Sequence, residues 1–208
     1  MYRDVDIETW PRRTAFEYFR DYDDPFFNIA ANLDVTQLYA YVKDSRLSYA
    51  LAALFYSQES ANEIREFKIR LLNDRPVECD SVHATQTILN PDESFSFCYF
   101  ENRTDVFEYV RYGREATAIY KERKTFDVES GRLDLIYYSV IPWISFTSFK
   151  HASRIDNRQT VPRIVFGKIF DSGPLKLMPV SVEVNHAIMD GLHVGKYFAS
   201  FQDKIRSL

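Results

Sequence analysis

Near the end of the chain, Val184-Asn185-His186-Ala187-Ile188-Met189-Asp190-Gly191-Leu192-His193-Val194 gathers residue types that proton-transfer chemistry uses. The stretch stands where an apolar strand, Leu175 to Val184, gives way to an amphipathic helix predicted over Asp190 to Ile205. Side chains at such a junction sit at the edge of a sheet layer. A histidine there can project into a cleft while rigid elements hold its backbone, as a general base requires. Asp190 falls at the expected N-cap of the helix, and Gly191 permits close backbone approach. Alone, the His-x-x-x-Asp spacing leaves two readings of His186 open: a base, or a structural histidine.

The elements that must place His186 follow from patterning. Thr9 ahead of Trp10-Pro11 predicts a helix start with proline at the first helical position, and Arg12 to Arg20 then shares Phe16 and Phe19 on one face. Phe26 to Leu33 reads as a strand. Asp34 caps a helix carrying Val35, Leu38 and Val42 inward, and Ser48 opens a more apolar helix towards Ile64. Strands are expected over Phe67 to Leu72, Val82 to Leu89 and Phe95 to Phe100. Thr104 to Lys124 has a helical pattern with Val106, Val110 and Ile119 as its apolar positions. Leu133 to Ser139 and Ser145 to Phe149 read as strands broken by Pro142. Arg163 to Phe170 and Leu175 to Val184 form a hairpin around Asp171-Ser172-Gly173-Pro174. Helices and strands alternate irregularly, not as βαβ units. The expected fold class is therefore α/β (α+β), a two-layer sandwich of a mixed β-sheet covered by helices, in one domain over 1–208.

Composition sets the outer bounds. The 208 residues are 46% hydrophobic and 27% charged, ordinary for a globular protein. Seventeen Phe and 14 Tyr point to thick packing, large interfaces or pockets. The net charge is −4, with basic residues scattered and no block that could follow a phosphate backbone, so nucleic acid is not an expected partner. Cys79 and Cys98 lack metal spacing and are expected to be buried thiols in a reducing compartment. Met1 to Thr9 has no apolar core like that of a signal peptide, and no run of 18 apolar residues occurs. A cytoplasmic protein with no membrane partner and no metal is expected.

Several segments resemble one family. His186-Ala-Ile-Met-Asp190-Gly191 is similar to the His-x-x-x-Asp-Gly signature shared by chloramphenicol acetyltransferases and dihydrolipoyl acyltransferases, and Leu192-His193-Val194 favours the first. Ile141-Pro142-Trp143-Ile144-Ser145-Phe146-Thr147-Ser148-Phe149 resembles that family's Pro-Trp-x-Ser-Phe-Thr-Ser-Phe segment. Trp10-Pro11-Arg12-Arg13 leading into Phe16-Glu17-Tyr18-Phe19 resembles its opening, and Leu177-Met178-Pro179-Val180-Ser181-Val182 the strand before its histidine. These matches are collinear from Ile7 to Val194.

The resemblance implies that His186 takes a proton from an acceptor hydroxyl that attacks acetyl-CoA directly, without an acyl-enzyme. Such a base contributes about 10²–10⁴-fold. It implies that Ser139 binds the tetrahedral intermediate, that Asp190 pairs with Arg12 to fix the geometry around His186, that Tyr18 and Phe19 line the chloramphenicol pocket, and that Trp143 walls the coenzyme A tunnel. Acetyl-CoA is then a co-substrate, no cofactor is bound permanently, and the active sites of a homotrimer lie at subunit interfaces. Three departures stand out: Asn185 where relatives have a first histidine, Glu183 for the usual Gln, and Val165 where some have Thr. The competing readings are the same chemistry on another hydroxyl acceptor, an idle ligand-binding relative, and the acyltransferase core of a dehydrogenase complex. The last reading is the least expected, because it calls for a lipoyl domain and an Ala/Pro linker that these residues do not spell.

Overall fold

A computed structural model describes residues 1–123, 131–152 and 158–208. In chain order the elements are β1 (Tyr2–Asp4), α1 (Arg13–Phe19), β2 (Phe26–Asp34), α2 (Thr36–Asp44), α3 (Tyr49–Asn62), a 3₁₀ turn (Arg65–Lys68), β3 (Ile69–Leu72), β4 (Arg75–Cys79), β5 (His83–Leu89), β6 (Phe95–Phe100), α4 (Val106–Arg123), β7 (Leu135–Ile141), β8 (Arg163–Gly167), β9 (Phe170–Ser172), β10 (Leu175–Asn185) and α5 (Gly191–Arg206). The main sheet runs β2-β10-β8-β7-β5-β6, with β9 also on β10. β5, β7 and β8 are mutually parallel and the other pairings antiparallel, so the sheet is mixed. A second, small sheet, β1-β4-β3, stands beside it. Among the described residues, no helix is long and apolar enough to cross a membrane.

β10 shows how sequence sets the layers. Met178, Val180, Val182 and Val184 face the helices, and Pro179, Ser181, Glu183 and Asn185 alternate onto the other face. Pro179 falls between the Leu177–Phe170 and Val180–Phe166 pairings, where β10 changes partner from β9 to β8 and a missing N–H is tolerated. A Cβ on Gly167 would come within 2.9 Å of the Phe146 ring and 3.1 Å of Pro179. On the helix side, α3 is buried almost all round, and α5 lays Val194, Tyr197, Phe201 and Ile205 into the same core. Several of its polar atoms are paired: Ser57 Oγ lies 3.0 Å from Tyr138 Oη and 2.5 Å from Tyr197 Oη, and Tyr109 Oη donates to Gln58 Oε1 at 2.7 Å. Arg70 is wholly buried and donates to the carbonyls of Phe67, Ile69 and Leu135, tying the small sheet to β7. Burial pulls its pKa down to about 10. Cys79 and Cys98 are free and buried, and burial pushes the Cys98 thiol up to about 12.

Several expectations need correction. Helix α1 starts at Arg13, with Pro11 outside it, because Thr9 Oγ1 donates to Asp6 Oδ2 and Trp10 closes a turn onto Ile7. Asp34 does accept from Thr36 N, but one residue before the N-cap position, which Val35 holds. Ile119 is 48% exposed. Thirteen residues on from Val106 is about 220° round a helix, so it faces away from Val106 and Val110. Lys124, the expected end of that helix, lies outside the described residues. Ser145 to Phe149 forms no strand, since β7 is already flanked by β5 and β8; instead Lys168 N donates to Ile144 O and Ser145 Oγ to Lys168 O. Phe67 belongs to the 3₁₀ turn and not to β3. The strand expected over Arg163 to Phe170 is split into β8 and β9, and the hairpin turn is Gly173-Pro174, with Gly173 at φ 58°. β1 and β4 carry too many charges, and a proline in β4, to show a strand pattern.

Candidate active site

His186 is the first residue beyond β10, and its N–H donates to Pro25 O at 2.8 Å. Its ring stacks flat on Phe19, with centroids 4.0 Å apart and 6° between planes, and leans on Phe27 at 4.7 Å. Nδ1 is buried with no hydrogen-bond partner among the described residues, which leaves Nε2 as the nitrogen able to meet an incoming hydroxyl. The turn behind it is held from both ends. At the strand end, Ile188 N and Met189 N both donate to Asn185 O, Ala187 N donates to Asn185 Oδ1, and Asn185 Nδ2 donates to Gln159 O. At the helix end Asp190 is the N-cap of α5 and accepts from Leu192 N at 2.9 Å.

Arg12 joins these two ends. Its Nη1 pairs with Asp190 Oδ2 and its Nη2 donates to His186 O at 3.0 Å. Burial alone would raise the Asp190 carboxyl, but Arg12, His193 and the Leu192 N–H outweigh it and hold the group below its ordinary value. The starting point of α1 matters here. As the residue ahead of the first helical turn, Arg12 can aim its guanidinium across the molecule.

Tyr18 is 62% exposed and meets Phe19 edge-on at 4.9 Å, with Tyr22 packed against both. An aromatic shelf therefore opens to solvent beside the histidine. Trp143, 64% exposed in the turn after β7, stands on another part of the surface with the exposed Ile144. Ser139 is on β7, with its Oγ 3.4 Å from Thr87 Oγ1. It lies opposite Val165, and Val165 opposite Ser181. His186 is five residues beyond Ser181 and two strands from Ser139, which puts the pair about 16 Å apart along the strands and about 10 Å across. One chain does not bring Ser139 to His186.

Glu183 is buried against Arg163 Nη1 at 2.6 Å and accepts from His151 N at 3.3 Å, while the Arg163 guanidinium lies over Phe26 at 4.6 Å. Burial, helped by Arg163 and opposed by Glu183, lowers the pKa of His151. Sequence reasoning missed Phe27, Tyr22, Arg163, His151 and Glu66 at or near the site. Alternation along β2 could have placed Phe27, but no local signal points to the others.

The family model for chloramphenicol acetyltransferase matches residues 1–202. A chloramphenicol acetyltransferase from Escherichia coli is 29% identical over 203 residues, covering 97% of this chain and 92% of the relative. Chloramphenicol acetyltransferase 3 from Escherichia coli is 25% identical over 208 residues, covering 99% and 98%. A solved chloramphenicol acetyltransferase superposes with a TM-score of 0.88 at 22% identity, over 99% of this chain and all of that one, a likeness of fold. With the family model spanning nearly the whole chain, and the paired Arg12 and Asp190 bracketing the histidine of its signature, the chain belongs to the chloramphenicol acetyltransferase family.

Proposed function

We propose that the chain, as one domain over 1–208, is a cytoplasmic acetyl-CoA-dependent O-acetyltransferase whose acceptor is the hydroxyl of chloramphenicol. The observation that carries this reading is the placement of His186: ring clamped between Phe19 and Phe27, carbonyl held by Arg12, and an aromatic shelf of Tyr18 and Tyr22 alongside. A flat nitrophenyl alcohol suits such a shelf. His186 Nε2 accepts the proton of the hydroxyl as its oxygen attacks the thioester carbonyl. The tetrahedral oxyanion then collapses, the C–S bond breaks, and His186 returns the proton to the departing coenzyme A thiolate.

Ser139 donates to the oxyanion in this scheme, and a donor of that kind is worth about 10²–10³ in turnover. The strand register supports a base and a serine supplied by different subunits. A cyclic homotrimer, with each site between neighbours, meets that requirement, with Trp143 as a wall for coenzyme A. No permanently bound cofactor enters the scheme. A thiol-release assay with acetyl-CoA and chloramphenicol tests it: coenzyme A release by the native chain that vanishes in His186→Ala is expected. A folded native chain releasing none would refute chloramphenicol as the acceptor.

A further inference from the structure

Asp190 is held on a side that Arg12 does not reach. Its backbone N–H donates to His193 Nδ1 at 3.1 Å, and the same ring nitrogen lies 2.9 Å from Asp190 Oδ1. The opposite nitrogen, Nε2, faces Glu66 Oε1 at 3.3 Å. Glu66 belongs to the 3₁₀ turn that leads into the small sheet. Both side chains are largely covered, His193 at 9% exposure and Glu66 at 18%. Burial alone would raise the Glu66 carboxyl, but the contact with His193 outweighs it and holds the group below its ordinary value.

A helix capping box ordinarily uses Glu or Gln at the third helical position to reach back to the N-cap N–H. Here a histidine does that with one nitrogen and has a second left for a carboxylate on another element. The first turn of α5 is thereby tied to the 3₁₀ turn. The segment it anchors, 186–190, lies outside both the sheet ladder and the helix, so its shape depends on what holds Asn185 and Asp190.

Resting on the reading of His186 as the base, we propose that Glu66 and His193 are positioning residues for His186. The chain Glu66–His193–Asp190–Arg12 ends on His186 O, so it fixes the turn and the ring direction together. Neither residue touches the reacting atoms. A displacement of about 1 Å at a catalytic group can cost roughly 10²-fold in rate, so a loose anchor at Asp190 registers in kcat before it registers in substrate binding.

The test compares Glu66→Ala with Glu66→Gln, whose amide oxygen can still accept from His193. The ring resonances of the four histidines, assigned by His186→Ala, are recorded beside kcat and KM. In Glu66→Ala the His186 signal is expected to shift or broaden and kcat to fall about tenfold or more, with KM for acetyl-CoA within about twofold. Glu66→Gln is expected to restore both. If Glu66→Ala does not fold, Glu66→Asp, which withdraws the carboxylate by one methylene, takes its place. A folded variant with an unchanged His186 signal, or a Glu66→Gln as defective as Glu66→Ala, would overturn the proposal. A native chain without turnover speaks against the proposed acceptor alone, because the resonance decides this inference without an assay of activity.

Discussion

Replacing Arg12 by methionine keeps most of the buried stem and removes both links the guanidinium makes, to Asp190 and to His186 O. A hydrogen bond made with a charged group is worth about 1.5–3 kcal/mol, and both of these are donated by the guanidinium. The Asp190 side chain is 36% exposed, so solvent screening argues for the lower end of that range. The total is about 3 kcal/mol, and at about 2–4 °C per kcal/mol for a chain of this size Tm falls by about 6–12 °C. Turnover suffers as well, because the carbonyl of the base loses its anchor, and kcat is expected to drop roughly 10–100-fold. There is also a pH signature. The folded Asp190 carboxyl sits below its ordinary value, so its contribution is present above that value and is lost as pH falls through the folded one. Arg12→Met should flatten that part of the stability profile. Thermal unfolding from about pH 2 to pH 7, beside thiol release, measures all three effects. A variant with native Tm and native kcat would show that Arg12 anchors neither Asp190 nor His186.

Two further outcomes follow from the buried charges. Arg70→Met strands the carbonyls of Phe67, Ile69 and Leu135, and urea unfolding should show a loss of about 2–4 kcal/mol; a neutral result would mean that the tie between the two sheets is dispensable. The His83 contact, and after it Arg132, outweigh burial and hold the Glu101 carboxyl at about 2, so its share of stability should fade as pH drops from about 4.5 towards 2. Glu101→Gln should therefore be less sensitive to acid over that interval than the native chain, as followed by circular dichroism.

Much of this molecule is legible in the order of its residues, for identifiable reasons. The helix from Asp190 is visible because its period of about 3.6 is clean and its start is marked by the Asp190 cap, and the strand over Phe26 to Leu33 because a mostly apolar run follows Pro25. The small sheet is hidden because β1 and β4 are short and charged, and they pair with each other across about 75 residues of sequence. The expected strand at Ser145 to Phe149 fails for a reason that no local pattern contains: both edges of β7 are already taken. At the site, the signature motif singles out His186 and Asp190, and the resemblance of the N-terminal segment adds Arg12. The clamp of Phe27 depends on how β2 and β10 register, and the bond between Glu66 and His193 on where a 3₁₀ turn meets α5. The roughly 10 Å and 16 Å between Ser139 and His186 likewise emerge only once strand order is known.

That separation allows a direct test of whether His186 works as a base on a site completed by Ser139 of a neighbouring subunit. His186→Ala and Ser139→Ala are each expected to be nearly inactive. When the two are unfolded together and refolded at equal amounts, random cyclic trimers hold a native His186 facing a native Ser139 at about one site in four, and thiol release should recover to about a quarter of the native rate. Mixed trimers that form and remain inactive, or a His186→Ala chain as active as the native one, would contradict it.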